Sequence, residues 1–278
     1  MRNKTKNGKT LIDIRLTTDQ DHHSWDSYVN EHPDTSPYHL QAWIRTIEET
    51  YGHNGFSLIA YEGGQVVGVL PIIQMCPPLF LPSKFSSLPF CDVGGCLCNN
   101  PNIKAALMGA AIDLTAKIGA KKFEIRESSY NYQPGTQLST NEKSKKYRMV
   151  MSLPDTSDEL WKSFKSKLRS QVRKSEKNGL THTNGQGNEY IDGFYKVFSR
   201  NMRDLGSPVH SKRWFESIRK HYAQDMFISL VKMDEKVIGA GLVLLLKRTA
   251  TVPWASIILK LSTFWVFTIW GNDKVSSD

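Results

Sequence analysis

Two stretches of this chain share one layout, and that layout limits the fold more than any other feature. In each, two strand-like runs flank a two-residue turn. The first pair is 56–62 and 65–74 around Gly63-Gly64; the second is Met226–Met233 and Lys236–Leu246 around Asp234-Glu235. Runs of this kind joined by so short a connection predict hairpins, because only tight turns match the twist of paired strands. Helical periodicity precedes each hairpin, over 19–30 and 38–50 in the first half and over 189–205 and 212–223 in the second. The pattern predicts an α/β (α+β) protein of two similar units, 1–150 and 151–278, with mixed sheets flanked by helices. Further strands are expected at 11–16, 121–126, 147–153 and from Arg248 to Trp254, and a helix at 102–118. Polar, nonperiodic residues 133–146 read as a loop near the boundary between the units.

The richest single segment is 156–179, T-S-D-E-L-W-K-S-F-K-S-K-L-R-S-Q-V-R-K-S-E-K-N-G. It reads as one helix, opened by a capping box at Thr156 and Glu159 and stopped at Asn178-Gly179. Leu160, Phe164, Leu168 and Val172 recur every four residues and form an apolar seam. Lys165, Arg169, Arg173 and Lys177 recur with the same spacing, one step around the helix. From 143 to 177 there are eleven Lys or Arg residues against four acids. Few carboxylates are therefore placed to neutralise the row at i±4. Such a row is either a solvated flank or a grip for phosphate.

The whole chain has 278 residues and a net charge of +9, which favours an anionic partner such as nucleic acid, a nucleotide-linked substrate or an acidic membrane surface. No apolar run follows the basic first residues, so no signal peptide is expected, and Cys76, Cys91, Cys96 and Cys98 are expected to be free cytosolic thiols. Cys96-x-Cys98 lacks a second ligand pair at zinc spacing. Residues 257–270 are very apolar, but they are too few for a bilayer span and are interrupted by Lys260.

The Walker, dinucleotide, nucleophile-elbow and zincin motifs are all missing, which removes the commonest phosphoryl-transfer, dinucleotide and hydrolase classes. No Gly-rich pyrophosphate loop follows either hairpin, which argues against an acetyl-CoA donor of the usual kind and leaves it open. The 201–210 segment, N-M-R-D-L-G-S-P-V-H, reads as a polar turn between helices, with Asp204 and His210 as candidate proton relays. V-P-W-A-S at 252–256 puts Trp254 and Ser256 after a strand, where the indole either packs in the core or stacks on a base or sugar. Ser36 and Pro37 read as a helix start, with Tyr38 and His39 as candidate ligand contacts. Asp92 is the one carboxylate of the Gly-rich stretch 86–95 and a third relay candidate.

In this order, S-P-Y-H-L-Q-A-W (36–43), Y-G-H (51–53), V-G-V-L-P (67–71), S-S-L-P-F-C-D-V-G-G (86–95), K-L-R-S-Q-V-R-K-S-E-K-N-G-L (167–180), F-Y-K-V-F-S-R-N-M-R-D-L-G-S-P-V-H (194–210) and V-P-W-A-S (252–256) resemble the FemAB-like family. The branch most similar is the one associated with PEP-CTERM/exosortase and exopolysaccharide systems of Gram-negative bacteria. The resemblance implies two tandem GNAT-like domains and a cytoplasmic acyl- or aminoacyltransferase acting on an amine. It implies no tightly bound cofactor and no metal. The implied donor is aminoacyl-tRNA, with acyl-CoA as the alternative; the implied acceptor is a nucleotide- or lipid-linked envelope precursor, related to peptidoglycan or exopolysaccharide. Peripheral contact with the inner membrane fits such an acceptor. Arg169, Arg173 and Lys174 match the family's basic helix and are the expected phosphate contacts. A non-catalytic scaffold or RNA-binding protein of the polysaccharide machinery is the other reading. Beyond V-P-W-A-S the chain departs from the family, so the second domain is expected to be truncated, with an atypical tail at 257–278.

Overall fold

The computed structural model describes residues 12–76, 83–120, 122–127, 149–247 and 249–258. The chain divides into two compact units, 1–149 and 150–278. The expected loop at 133–146 and the tail beyond 258 lie outside the described residues, as do the basic residues of 143–148.

In the N-terminal unit, β1 (Ile12–Leu16), β3 (Leu58–Glu62), β4 (Gln65–Leu70) and β7 (Leu97–Cys98) form an antiparallel sheet in the order β1-β3-β4-β7. Gly63 and Gly64 take φ of +59° and +84°, the tight turn that the hairpin needs. The second arm is shorter than the sequence suggests. It stops at Leu70, because Pro71 has no N–H for the ladder. The chain then enters a second sheet of β2 (Asn54–Gly55), β5 (Ile73–Met75), β6 (Lys84–Ser86) and β8 (Phe123–Glu124), in which β6 and β8 are parallel. Helix α3 (Pro101–Lys117) is capped by Asn100, whose side chain accepts from the Asn102 amide. It lays Ile103, Leu107 and Ala111 onto Leu58, Ala60 and Leu70. Helices α1 (His22–Glu31) and α2 (Gln41–Tyr51) bury Trp25, Val29, Trp43 and Ile47 completely. Arg15 and Tyr61 both donate to the Asp21 carboxylate just before α1, and this holds that acid well below the usual range.

In the C-terminal unit, β9 (Leu180–Gly185), β10 (Met226–Met233), β11 (Lys236–Leu246) and β12 (Thr249–Ile257) form an antiparallel sheet in the order β12-β11-β10-β9. The second hairpin has the predicted ends, with Asp234 at φ +53° in its turn. Segment 147–153 departs from expectation. Among its described residues, 149–153 form no strand, and Met149 and Val150 are 94% and 79% exposed.

The single helix expected at 156–179 is two helices. The first, α4 (Ser157–Ser163), opens at the predicted residue, with the Glu159 amide donating to Thr156 Oγ1 at 3.2 Å, which is the Thr156 half of the expected capping box. It ends where Ser163 Oγ turns back to the Leu160 carbonyl. Phe164 and Lys165 are extended, with ψ of 141° and 144°. The second, α5 (Ser166–Lys177), is closed by Asn178 and by Gly179, which sits at φ +80°. The break lets Trp161, Phe164 and Leu168 all pack against Val172, Val231 and Ile238. Burial of two large rings outweighs the local preference for one continuous helix.

Helices α6 (Asn188–Asp204) and α7 (Lys212–Tyr222) cover the opposite face of this sheet. The face is fixed by register. Leu230 pairs with Ala240, and Ala240 with Ser256, so their side chains share a face. Leu230 lies under Gly193 of α6, where a Cβ would come 2.8 Å from its Cδ1. Val231, the next residue of β10, points the other way, onto Val172 of α5.

Candidate functional site

The predicted residues of the C-terminal unit fall into two groups on the two faces of its sheet. On the α6–α7 face, His210, Trp254 and Ser256 come together. The V-P-W-A-S segment lies inside β12 and not after a strand. Pro253 is tolerated because β12 is, among the described residues, an edge strand and the register slips between Leu242↔Trp254 and Leu244↔Thr251. Trp254 and Ser256 therefore point to the same side. The Trp254 ring meets the edge of His210 at 5.6 Å and of Phe215 at 5.2 Å, and His210 stacks on Trp214 at 5.1 Å. Asn201 Nδ2 donates to Ser256 Oγ at 3.3 Å. Burial among the rings holds the His210 imidazole below its ordinary pKa, so it is neutral at pH 7. A neutral imidazole can accept a proton, and the flat indole beside it offers a stacking surface.

Asn201, Trp214 and Phe215 are members that sequence reasoning missed. Asn201 looked like the start of a polar turn, but α6 continues to Asp204 and carries its side chain to β12. Helical spacing from the buried Phe194 and Phe198 was the available signal. Asp204 does not join the group. It is exposed at the end of α6, with Arg203 and Arg200 at 3.5 and 3.9 Å from its carboxylate.

On the α4–α5 face lie Arg169, Arg173 and Lys174. Arg173 and Lys174 are exposed and Arg169 is half-buried. The Arg173 guanidinium sits 5.7 Å from the Trp161 ring centroid, a cation–π contact that holds it in place. Lys165, the first of the predicted row, falls in the break before α5. The cations and the His210 group are thus separated by the thickness of the sheet.

In the N-terminal unit, Tyr38 and His39 are interior residues, 3% and 1% exposed. The His39 ring closes a cap with Ser36, Nδ1 to Oγ at 2.9 Å, and its carbonyl accepts from Trp25 Nε1 at 2.8 Å. Tyr38 packs edge-on against Trp43 at 4.7 Å. Asp92 is exposed, two residues after Phe90 at φ +65°. None of the three borders the cleft of about 290 Å³ that this unit contains, which is lined by Thr17, His22, Gln41, Arg45 and Glu48 among others. There Arg45 Nη2 donates to His22 Nδ1 at 2.7 Å.

Among the described residues, no helix is long and apolar enough to cross a membrane, and no three His, Cys, Asp or Glu side chains are grouped to hold a metal.

Comparisons with known proteins fit this architecture. Residues 119–238 match the model of the FemAB family, a span that takes in α4 to α7 with β9 and β10. The structure titled FemX superposes with a TM-score of 0.64 at 16% identity, over 88% of this chain and 80% of that one. A tandem GNAT protein from the clavulanic acid biosynthesis pathway gives 0.45 at 10% identity, over 88% and 79%. A GNAT family acetyltransferase of Staphylococcus aureus gives 0.34 at 9% identity, over 50% of this chain and 98% of that one. Comparison with curated protein sequences gives no match. The likeness to FemX is one of fold: the α/β class with mixed sheets flanked by helices, as expected from the sequence, is the class observed.

Proposed function

We propose that this chain is a FemAB-type acyl- or aminoacyltransferase that joins an activated acyl group to an amine on a cell-envelope precursor related to peptidoglycan. The observation that carries this reading is a coincidence of place. The family match over 119–238 contains His210 and the helices that set it against Trp254. The finer assignments follow the sequence resemblance: aminoacyl-tRNA as donor, an acceptor linked to peptidoglycan or exopolysaccharide, and a cytoplasmic protein that meets the membrane only at its surface.

The chemistry requires a neutral amine. Its nitrogen attacks the ester carbonyl of the donor, an N–C bond forms, and the C–O bond to the ribose breaks. The amine's proton must leave, and the ribose oxygen must gain one. His210 is held neutral by burial, so it is suited to take the first proton and return it to the leaving oxygen. Trp254 offers a flat surface for a sugar or base, and Ser256, itself buried, ties α6 to the strand beside it through Asn201. Arg169, Arg173 and Lys174 meet phosphates of a polyanionic reactant from the other side of the sheet. Asp204 and Asp92 rank below His210 as relays, because both are exposed.

The test is steady-state turnover with aminoacyl-tRNA and an amine-bearing peptidoglycan precursor. His210→Gln is expected to lower kcat by about 100-fold or more with little change in KM. Turnover within a few-fold of the parent chain removes His210 from the reaction. Turnover with acyl-CoA alone reassigns the donor.

A further inference from the structure

The N-terminal unit carries a pair of thiols that the proposed reaction does not use. Cys96 and Cys98 stand on either side of Leu97 at β7, and alternation along a strand sends both to one face. Leu97 is buried on the other. Cys96 Sγ donates to Cys98 Sγ at 3.6 Å, and both thiols are free and half-buried. They pack against the apolar cluster that includes Ile103 and Leu107 of α3. Room for them depends on Gly68. It pairs with Cys98 in register, and a Cβ there would lie 3.1 Å from the Cys98 Cβ.

The electrostatic setting is mixed, with a helix N-terminus and a lysine near the pair and the Glu127 carboxylate beside that lysine. The strand runs directly into Asn100, the N-cap of the 17-residue helix α3, whose positive end faces back along the chain. Lys104 in the next turn adds a cation, itself bridged to Glu127 at 2.7 Å.

Two sulfurs on one face, backed by apolar side chains, suit a soft ion. A structural zinc ion would require four ligands, and the described residues bring no third His, Cys, Asp or Glu to the pair. A monovalent d10 ion is satisfied by two thiolates. We propose that Cys96 and Cys98 form a two-coordinate site for Cu(I). Each thiol releases its proton to solvent and each sulfur donates one electron pair; the ion changes no oxidation state. The resulting unit bears one negative charge, set against the α3 N-terminus, while Lys104 is already paired with Glu127.

The test is an anaerobic titration of the full chain with Cu(I) against bicinchoninate, a coloured Cu(I) chelator. The expected result is one tightly held equivalent. Cys96→Ser and Cys98→Ser should each lower the affinity by at least about 100-fold, the upper end of what loss of an outer-shell partner alone costs. Cys76→Ser should leave it unchanged. The proposal is overturned if the parent chain competes no better than the Cys96→Ser/Cys98→Ser double variant, or if Cys76→Ser loses the ion. The titration of the parent chain decides the matter even if a serine variant fails to fold, and it is independent of transferase turnover.

Discussion

The two faces of the C-terminal sheet are built in different ways. The α4–α5 face comes from one continuous segment whose four-residue repeats set an apolar seam beside a row of cations. Its anchor is local in sequence, with Phe164, Leu168 and Val172 packing together on the sheet. The α6–α7 face draws on three distant segments: Asn201 from one helix, His210 and Trp214 around the start of the next, and Trp254 and Ser256 from the edge strand. The first face presents exposed charge, where water screens each contact and single residues matter little to stability. The second encloses a titratable ring among aromatics, where each member holds the others. Exposed charge and a desolvated imidazole thus occupy separate surfaces of one sheet.

The contrast breaks most sharply at Trp254. Trp254→Ala removes ring contacts to His210 and Phe215 and is expected to cost about 3 kcal/mol of stability, the lower end for a large-to-small change because the indole is only half-buried. Denaturant unfolding measures it, and a loss under 1 kcal/mol would mean that the aromatic face is not a packed unit. Arg173→Ala is the counterpart on the other face. Its KM for a polyanionic substrate should rise about tenfold, or about 1.4 kcal/mol, while stability moves by no more than about 0.5 kcal/mol. An unchanged KM for both donor and acceptor would reduce the cation row to a solvated flank.

A smaller effect separates the faces by pH. Because the folded chain holds His210 below its ordinary value of 6.5, it binds fewer protons there than the unfolded chain does. Stability should therefore rise with pH up to about 6.5 and be lost as the pH falls below it. His32 and His53, also lowered by burial, contribute in the same sense. His210→Gln should flatten part of this slope between pH 5 and 7, and identical slopes in the two proteins would contradict the burial argument. The smallest effect belongs to Lys174. Lys174→Ala should reduce the slope of log affinity against log salt by about one if the lysine meets a phosphate. Filter binding with tRNA at several salt concentrations reads that slope directly.

Much of the architecture was legible in the residues. Gly63-Gly64 and Asp234-Glu235 marked both hairpins, and Thr156 and Gly179 marked the two ends of the basic segment. These are local signals, carried by turn chemistry and caps. The break at Phe164 was not legible, because the sheet residues that reward it, Val231 and Ile238, lie more than sixty positions away. The same holds for Tyr38 and His39, whose polar character suggested a ligand contact while packing drew them inside. Of the candidate site, His210, Trp254 and Ser256 were named from the sequence as separate possibilities; that they adjoin, and that Asn201 joins them, depends on strand register.

The order of residues alone determined where both hairpins turn, where the basic segment starts and stops, and that a concentrated positive charge rides beside an apolar seam there. Propensity, capping and periodicity act over a few neighbours, and a single chain displays them openly. Tertiary structure decided that the cations and the imidazole stand on opposite faces of one sheet, because side-chain direction follows from pairing between strands. A shift of one residue in that pairing would exchange the faces of β12.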